Sequence, residues 1–186
     1  AGLTGLELGT DIGASVRNPA HYCGIFGHKP TYGLVPWQGA QLPGSFAPSD
    51  LVVFGPLGRS AQDLDVALKV IAGPAGIDAE GWTLSLPAPR KRSPKDFRVA
   101  VMLEHPAFDV DAVLTGKLAQ AVDELARAGV SVDHGVRPCV DFLRANHLYL
   151  MLLRSATGAR VSDEAYARHV QGAAARDASD NSYRAY

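Results

Sequence analysis

The sequence has few cysteines and no long apolar run, and these two features exclude several classes of protein. Its 186 residues include only two cysteines, Cys23 and Cys139. They are far apart and show no metal-type spacing, so we expect neither a disulfide framework nor a zinc site. Cysteine usage this sparse favours a reducing compartment, and we expect the cytoplasm. No apolar run approaches the ~20 residues that cross a bilayer, so we expect no membrane as a partner.

The net charge is also small. The formal charge is −1, and charged residues make up 20% of the chain. This balance gives no reason to expect direct binding of nucleic acid or of an anionic surface. A basic cluster, RKRSPK at residues 90–95, is short and has no interleaved aromatic residues, which favours a solvated surface turn. The apolar fraction of 47% is typical of an ordinary globular domain.

What the sequence does contain is a succession of strand and helix patterns. Alternating leucines predict a strand at residues 6–9, and an apolar run predicts a buried strand at residues 51–54 that ends at Gly55 and Pro56. Residues 20–27 are compatible with one short helical turn. Ser60 has the features of an N-cap, and the apolar spacing after it predicts a helix that stops at Gly73 and Pro74.

The second half of the chain predicts a crossover unit followed by helices. Residues 99–103 form a predicted strand, residues 113–129 a helix, and Val130 begins another strand. A strand, helix and strand in this order favour parallel strands covered by helices, which is an α/β architecture. Two further helices are predicted at residues 141–154 and 162–176.

The stretch GTDIGASVRNPA, residues 9–20, contains the candidate for chemistry. Ser15 follows small residues that let backbone N–H groups turn toward one point, as stabilisation of an oxyanion requires. A serine hydroxyl needs a base, however, and the six histidines show no triad spacing. Arg17 also replaces the last glycine of the nucleophile elbow G-x-S-x-G. Spacing alone therefore favours Ser15 as a turn or cap residue.

The longer segment GTDIGASVRNPAHYCGIFGHKPTYGLVP resembles the amidase signature family. The family's diagnostic pattern is D-x-G-x-S-[apolar]-R-x-P, and its positions match Asp11, Gly13, Ser15, Val16, Arg17 and Pro19. The resemblance continues through VVFGPLGRS and AQDLDVALKVIAGP, so that it is strong over residues 1–75 and weaker over residues 97–186. It implies part of an α/β/α fold, with a mixed central sheet flanked by helices.

This resemblance implies a hydrolase of linear carboxamides that uses a Ser–cis-Ser–Lys triad and no cofactor. Ser15 matches the acylated nucleophile. The backbone N–H groups that match the oxyanion loop are those of Ile12, Gly13, Ala14 and Ser15. Asp11 and Arg17 match positions that shape the loop through charge-assisted hydrogen bonds. Ala14 stands where the family usually has glycine, and its Cβ would restrict the backbone if φ must be positive there.

The other triad members match no position in this chain. In the family, the bridging serine and the lysine lie upstream of the nucleophile segment. The resemblance therefore implies that residues 1–186 are one partial domain, incomplete at both ends and inactive by itself, with apolar faces left uncovered. Lys29 in GHKP matches a different family position, and we interpret it as structural rather than as the missing base.

Three functions remain open at this point. The first is an amidase for a small or medium amide, for which a homodimer also stays open. The second is a glutamine-hydrolysing amidotransferase component of the A type, which supplies ammonia to a partner that modifies aminoacyl-tRNA. The third is a non-catalytic, truncated amidase-like interaction module. The segment GHKPTYGLVPWQGAQLPG resembles the stand-alone amidases more than the amidotransferase components, which favours the first.

Overall fold

A computed structural model describes residues 2–40, 47–158 and 161–175, and these form helices and two small sheets. The predicted α/β class is confirmed. By its contacts the chain divides into two units, one of Ala1–Ser85 with Leu148–Tyr186 and one of Leu86–His147. Within the described ranges, no helix is both long enough and apolar enough to cross a membrane.

The first unit contains a three-stranded antiparallel sheet. Its strands are β1 (Leu6–Asp11), β2 (Phe26–Gly27) and β3 (Val53–Gly58), in the order β1-β3-β2. Leu6 lies opposite Gly58 at one end of the β1–β3 pairing, and Asp11 lies opposite Val53 at the other. The central strand β3 therefore begins beside the turn that follows β1.

The predicted end of the third strand at Gly55 and Pro56 is wrong, because β3 continues through both residues. The carbonyl of Pro56 accepts a hydrogen bond of 3.0 Å from the N–H of His28, so the chain after β2 still pairs with it. A proline removes only its own N–H donor, and its carbonyl remains free to bond. A Cβ at position 55 would overlap the carbonyl oxygen of His28, so the glycine permits this close approach.

The helix after the Gly-rich turn also begins earlier than predicted. Helix α1 spans Arg17–Cys23 with Gly24 as its C-cap, and β2 begins at Phe26, so the helical turn does not continue to residue 27. Pro19 lies in the first turn of α1, where its missing N–H costs no helical hydrogen bond. The prediction of a helical turn at residues 20–27 is therefore corrected.

The helix predicted after Ser60 is confirmed as α2 (Ala61–Ile71). The hydroxyl of Ser60 accepts a hydrogen bond of 3.1 Å from the N–H of Asp63. Leu64 and Ala67 are the buried residues of its apolar stripe, and they cover β3. A one-turn helix, α3 (Asp78–Gly81), follows on the stretch after Pro74.

The second unit confirms the crossover prediction. Strands β4 (Arg98–Ala100) and β5 (Ser131–Asp133) pair in parallel, and α4 (Ala112–Arg127) connects them. Strand β4 is shorter than the predicted residues 99–103. The antiparallel and parallel pairings of the described residues thus lie in two separate sheets.

Two helices follow, as predicted. Helix α5 spans Phe142–Gly158, and α6 spans Asp163–Ala174. The hydroxyl of Ser162 caps α6 by accepting from the N–H of Ala165 at 3.3 Å. The predicted end at residue 176 lies outside the described residues.

Candidate active site

The candidate segment joins the end of β1 to the start of α1. Asp11 ends the strand, residues 12–16 form the turn, and Arg17 begins the helix. Val16 is fully buried. A Cβ at Gly9 would lie 3.1 Å from Cγ2 of Val16, which shows that this side chain rests on the backbone of β1. Packing of Val16 therefore holds the turn against the sheet.

Asp11 lies buried at the base of this turn, where its carboxylate accepts five hydrogen bonds. Oδ1 accepts from the N–H of Ala14 at 2.8 Å and from Nη2 of Arg17 at 2.9 Å. Oδ2 accepts from Nε of Arg17 at 2.9 Å, and from the N–H groups of Val16 and Arg17 at 3.3 and 3.4 Å. The carboxylate therefore caps α1 from outside the helix, whose first N–H groups have no helical partner.

The surroundings of Asp11 hold its pKa well below the ordinary value of 3.8. Burial acts in the opposite direction and raises the pKa, but the hydrogen bonds from the side chain of Arg17 and from the backbone of Ala14 and Val16 outweigh it. The hydrogen bond to Asp11 in turn raises the pKa of Arg17 against the effect of burial. Both groups are therefore charged at neutral pH.

Ala14 has a backbone conformation that favours glycine. Its φ is +91°, and no other non-glycine residue in the described ranges has a positive φ. The N–H of Ala14 donates to Asp11, and its carbonyl accepts a hydrogen bond of 2.7 Å from the N–H of Asn18. These bonds hold a strained residue in place. The positive φ on which the expected restriction by the Cβ depends is thus present.

Ser15 is exposed on the same turn. Its hydroxyl forms no hydrogen bond with any residue that the structure describes. A serine hydroxyl is a weak nucleophile until a base lies within hydrogen-bond reach, and the described residues place none there. The geometry leaves Ser15 accessible, and its role as a nucleophile stays a prediction.

Only one of the four N–H groups predicted for the oxyanion site donates to a described residue. That of Ala14 donates to Asp11. Those of Ile12, Gly13 and Ser15 donate to no group within the described part of the chain. Free N–H groups close together in one turn are what stabilisation of an oxyanion requires. Their assignment to an oxyanion site also stays a prediction.

A cavity of about 520 Å³ opens beside the turn. Residues 12–14 and Arg17 form one part of its wall. The polar side chains that complete it come from distant parts of the sequence: Lys29, Tyr32, Asp50 and Tyr149. Ser15 adjoins this wall in sequence but is not part of it.

Sequence reasoning missed Asp50 and Tyr149 as site residues. Tyr149 lies in the run LYLMLL, and its hydroxyl donates a hydrogen bond of 3.2 Å to the carbonyl of Ile12. A phenol in an otherwise apolar run is the signal that could have identified it, since a buried tyrosine hydroxyl usually has a partner. Asp50 gave no such signal. Lys29 lines the cavity, and nothing in the geometry assigns it the role of base.

Other reactive side chains do not line this cavity. None of the six histidines forms part of its wall. Cys23 and Cys139 are free and exposed. Within the described ranges, no three His, Cys, Asp or Glu side chains are placed to hold a metal ion.

Comparison with known proteins decides the family. A family model described as Amidase matches residues 1–183. The chain belongs to the amidase family. The match extends well beyond the segment that carries the diagnostic pattern, and it includes every residue of the cavity wall.

Relatives within the amidase family carry different names. The chain is 35% identical over 179 residues to the A-type component of the glutamyl-tRNA(Gln) amidotransferase of Deinococcus radiodurans, covering 92% of this chain and 35% of that one. The crystal structure of the same component from Thermotoga maritima is 25% identical with a TM-score of 0.62, covering 91% and 37%. A fatty acid amide hydrolase structure also has 25% identity and a TM-score of 0.62, covering 80% and 26%.

The matched portion of these relatives is limited. The chain spans about a third of the length of the curated relatives it matches, 32% for those of Nostoc sp. and Trichormus variabilis and 35% for the Deinococcus protein. The family is therefore established, whereas activity, substrate and partners are matters for proposal.

Proposed function

We propose that this chain provides the nucleophile of an enzyme that hydrolyses linear carboxamides through an acyl-enzyme. The observation that carries the proposal is the turn at residues 12–16. It presents an exposed serine hydroxyl and three backbone N–H groups that no described residue engages, beside a cavity whose wall it shares. Membership of the amidase family supports the same reaction.

In the proposed reaction, Oγ of Ser15 attacks the carbonyl carbon of the amide. The N–H groups of Ile12, Gly13 and Ser15 stabilise the negative charge that develops on the carbonyl oxygen. The C–N bond then breaks, and the nitrogen takes up a proton and leaves as ammonia or an amine. Water attacks the resulting ester, the product leaves as a carboxylate, and Ser15 regains its proton.

The charged pair has a supporting role in this proposal. Asp11 holds the N–H of Ala14, so the Ala14 donor serves the shape of the turn, and the remaining three are left for the substrate. Arg17 neutralises the buried carboxylate through two side-chain hydrogen bonds. Neither group exchanges protons with the substrate, because the shifted pKa values keep both ionised at neutral pH.

The general base is not assigned to a residue of this chain. The family resemblance predicts a bridging serine and a neutral lysine that take the proton of Ser15, at positions before the nucleophile segment. We therefore expect residues 1–186 expressed alone to hydrolyse no amide. We also expect a reducing compartment such as the cytoplasm, and we keep a homodimer as a prediction that light scattering of the purified protein decides.

Labelling with a fluorophosphonate probe tests the nucleophile. The protein expressed from its complete gene should react covalently with the probe, and its Ser15→Ala variant should not, because the attacking oxygen is gone. Ser85→Ala is the matched control, since Ser85 is another exposed serine and should label like the wild type. Equal labelling of wild type and Ser15→Ala would overturn the assignment. No labelling of the wild type would favour the non-catalytic interaction module.

A second candidate is hydrolysis of glutamine to supply ammonia to a partner protein. The relative from Deinococcus radiodurans is named as part of an amidotransferase. In addition, the cavity wall contains Lys29 and Asp50, side chains of opposite charge that form no ion pair with each other or with any other described residue. Opposite charges on one wall suit a zwitterionic substrate such as glutamine.

Ammonia release separates the two candidates. The protein isolated from its own organism should be assayed with glutamine and with a neutral carboxamide, before and after any co-purifying proteins are removed. Release from glutamine that depends on those proteins would favour the amidotransferase function. Release from the neutral amide by the protein alone would favour the stand-alone amidase.

A further inference from the structure

Tyr149 connects a distant helix to the turn that holds Ser15. It lies in α5, and its hydroxyl donates a 3.2 Å hydrogen bond to the carbonyl of Ile12, 137 residues away in sequence. The side chain is partly buried, and it also forms part of the cavity wall. The bond is therefore made within the candidate site and not on a remote surface.

The bond acts on one particular peptide unit. The carbonyl of Ile12 and the N–H of Gly13 belong to the same planar peptide group, in which they point in opposite directions. A hydrogen bond that fixes the direction of the carbonyl consequently fixes the direction of the N–H. The N–H of Gly13 is one of the three that donate to no described residue, so it is free to meet a ligand.

The contact is also close. A Cβ at Gly13 would lie 2.9 Å from the hydroxyl oxygen of Tyr149, closer than side-chain carbons normally approach. The absence of a side chain at Gly13 is therefore what lets the phenol reach the neighbouring carbonyl. The two residues form one fitted pair across the turn.

We propose that Tyr149 is a positioning residue of the amide-hydrolysing site, and that its hydroxyl orients the Ile12–Gly13 peptide so that the N–H of Gly13 faces the developing oxyanion. The inference rests on the function proposed above and adds a residue to it. Tyr149 does not exchange a proton with the substrate in this scheme. It acts through the peptide that it holds.

Tyr149→Phe tests the role of the hydroxyl in the protein expressed from its complete gene. Removal of a whole oxyanion donor costs about 10²–10³ in kcat, so loss of its orientation should lower kcat by about tenfold to a hundredfold. KM should change less than about twofold, because the charge appears mainly in the transition state. Tyr166→Phe is the matched control, since Tyr166 is 64% exposed on α6 and should keep the kcat of the wild type.

The split between kcat and KM distinguishes positioning from mere support of the fold. If the thermal unfolding midpoint is kept and kcat falls at constant KM, the inference holds. If kcat stays within about twofold of the wild type, or if KM rises while kcat is unchanged, the inference is overturned.

A double-mutant cycle gives an independent test through Gly13→Ala. Its methyl group should collide with the tyrosine hydroxyl and lower kcat. Combined with Tyr149→Phe, the same change should cost much less, because the oxygen it would strike is absent. Losses that multiply in the double variant would overturn the inference.

The two proposals fail in distinguishable ways. If Ser15→Ala retains activity, the proposed nucleophile is wrong and the role of Tyr149 falls with it. If Ser15→Ala is inactive and Tyr149→Phe is fully active, only the positioning role is wrong.

Discussion

Asp11 shows how one buried residue organises the turn at residues 12–16. Its side chain is fully buried, and every one of its recorded hydrogen bonds comes from residues within the next six positions. An unpaired buried carboxylate would be costly, but here each oxygen accepts from both Arg17 and the backbone. The same bonds that satisfy the charge also close the turn and cap α1.

Asp11→Asn should therefore lower the free energy of unfolding at pH 7 by about 2–3 kcal/mol. Hydrogen bonds to a charged group are lost, and the NH₂ group of the new amide would face N–H donors of the turn. Chemical unfolding measures this directly. Asp65→Asn is the control, since the ion pair of Asp65 with Lys69 is exposed and should contribute less than about 1 kcal/mol. Equal losses in the two variants would contradict the assigned role.

The lowered pKa of Asp11 also predicts a pH dependence. The unfolded state binds a proton at the ordinary value of 3.8, above the pKa in the folded state, so this group stabilises the fold fully above that value. The contribution is lost as pH falls below 3.8 toward the pKa of the folded state. Wild-type stability should fall more steeply than that of Asp11→Asn in this range. Parallel curves would show that Asp11 is not responsible.

Ala14 supplies a further prediction at the scale of one residue. A positive φ costs an L-residue about 1–2 kcal/mol, and glycine avoids this cost. Glycine also lowers the stability by about 0.4–1 kcal/mol, because the unfolded chain gains conformational entropy. Ala14→Gly should therefore raise the free energy of unfolding by up to about 1 kcal/mol, as measured by urea titration. Ala167→Gly in α6 should instead destabilise by about 1 kcal/mol, since Ala167 has ordinary helical geometry. A loss of stability in Ala14→Gly would refute the strain at φ +91°.

At the scale of elements, β3 holds the first unit together. It pairs with both β1 and β2, and five of its six residues are buried. Helix α2 covers the same strand with Leu64 and Ala67. The position of the turn at residues 12–16 depends on this strand, because Asp11, the last residue of β1, pairs with Val53.

Gly55→Ala tests the close approach in this strand. The new Cβ would overlap the carbonyl oxygen of His28, so the chain after β2 must shift. We expect a loss of about 1–3 kcal/mol in the free energy of unfolding, the usual cost of overpacking. At Gly81 a Cβ would meet nothing within 4 Å, and Gly81→Ala should be nearly neutral. A neutral Gly55→Ala would show that the loop can move at little cost.

The sequence predicted the elements that depend on interactions between residues close together in the chain. Helices α2, α4 and α6 follow from local spacing and capping residues, since these act within a few positions. The length of β3 did not follow, because the pairing that extends it past Pro56 comes from β1 and β2, which lie far away in the sequence. The start of α1 was missed for a different reason: its N-cap position is Val16, and the carboxylate that accepts from its first N–H groups belongs to Asp11 on the preceding strand.

At the scale of the whole molecule, the apolar stripe of α4 is left exposed, in contrast to that of α2. No residue of α4 is buried, and Leu118 and Leu125 each keep 41% of their surface exposed. Exposed apolar surface of this kind marks faces that other protein or ligand normally covers. The chain also spans about a third of the length of the relatives it matches.

The amino-acid sequence by itself determined the family, the order of most elements and the grouping of the charged and polar residues in the turn. Asp11, Ser15 and Arg17 lie close together in the chain, so their grouping is local and readable from the pattern. Only the tertiary structure decided that Asp11 occupies the N–H of Ala14, and that Tyr149 bonds to Ile12. It also brought Lys29 and Asp50 to one cavity wall. The contacts of Tyr149, Lys29 and Asp50 depend on how strands pair and where α5 packs, which no local spacing specifies.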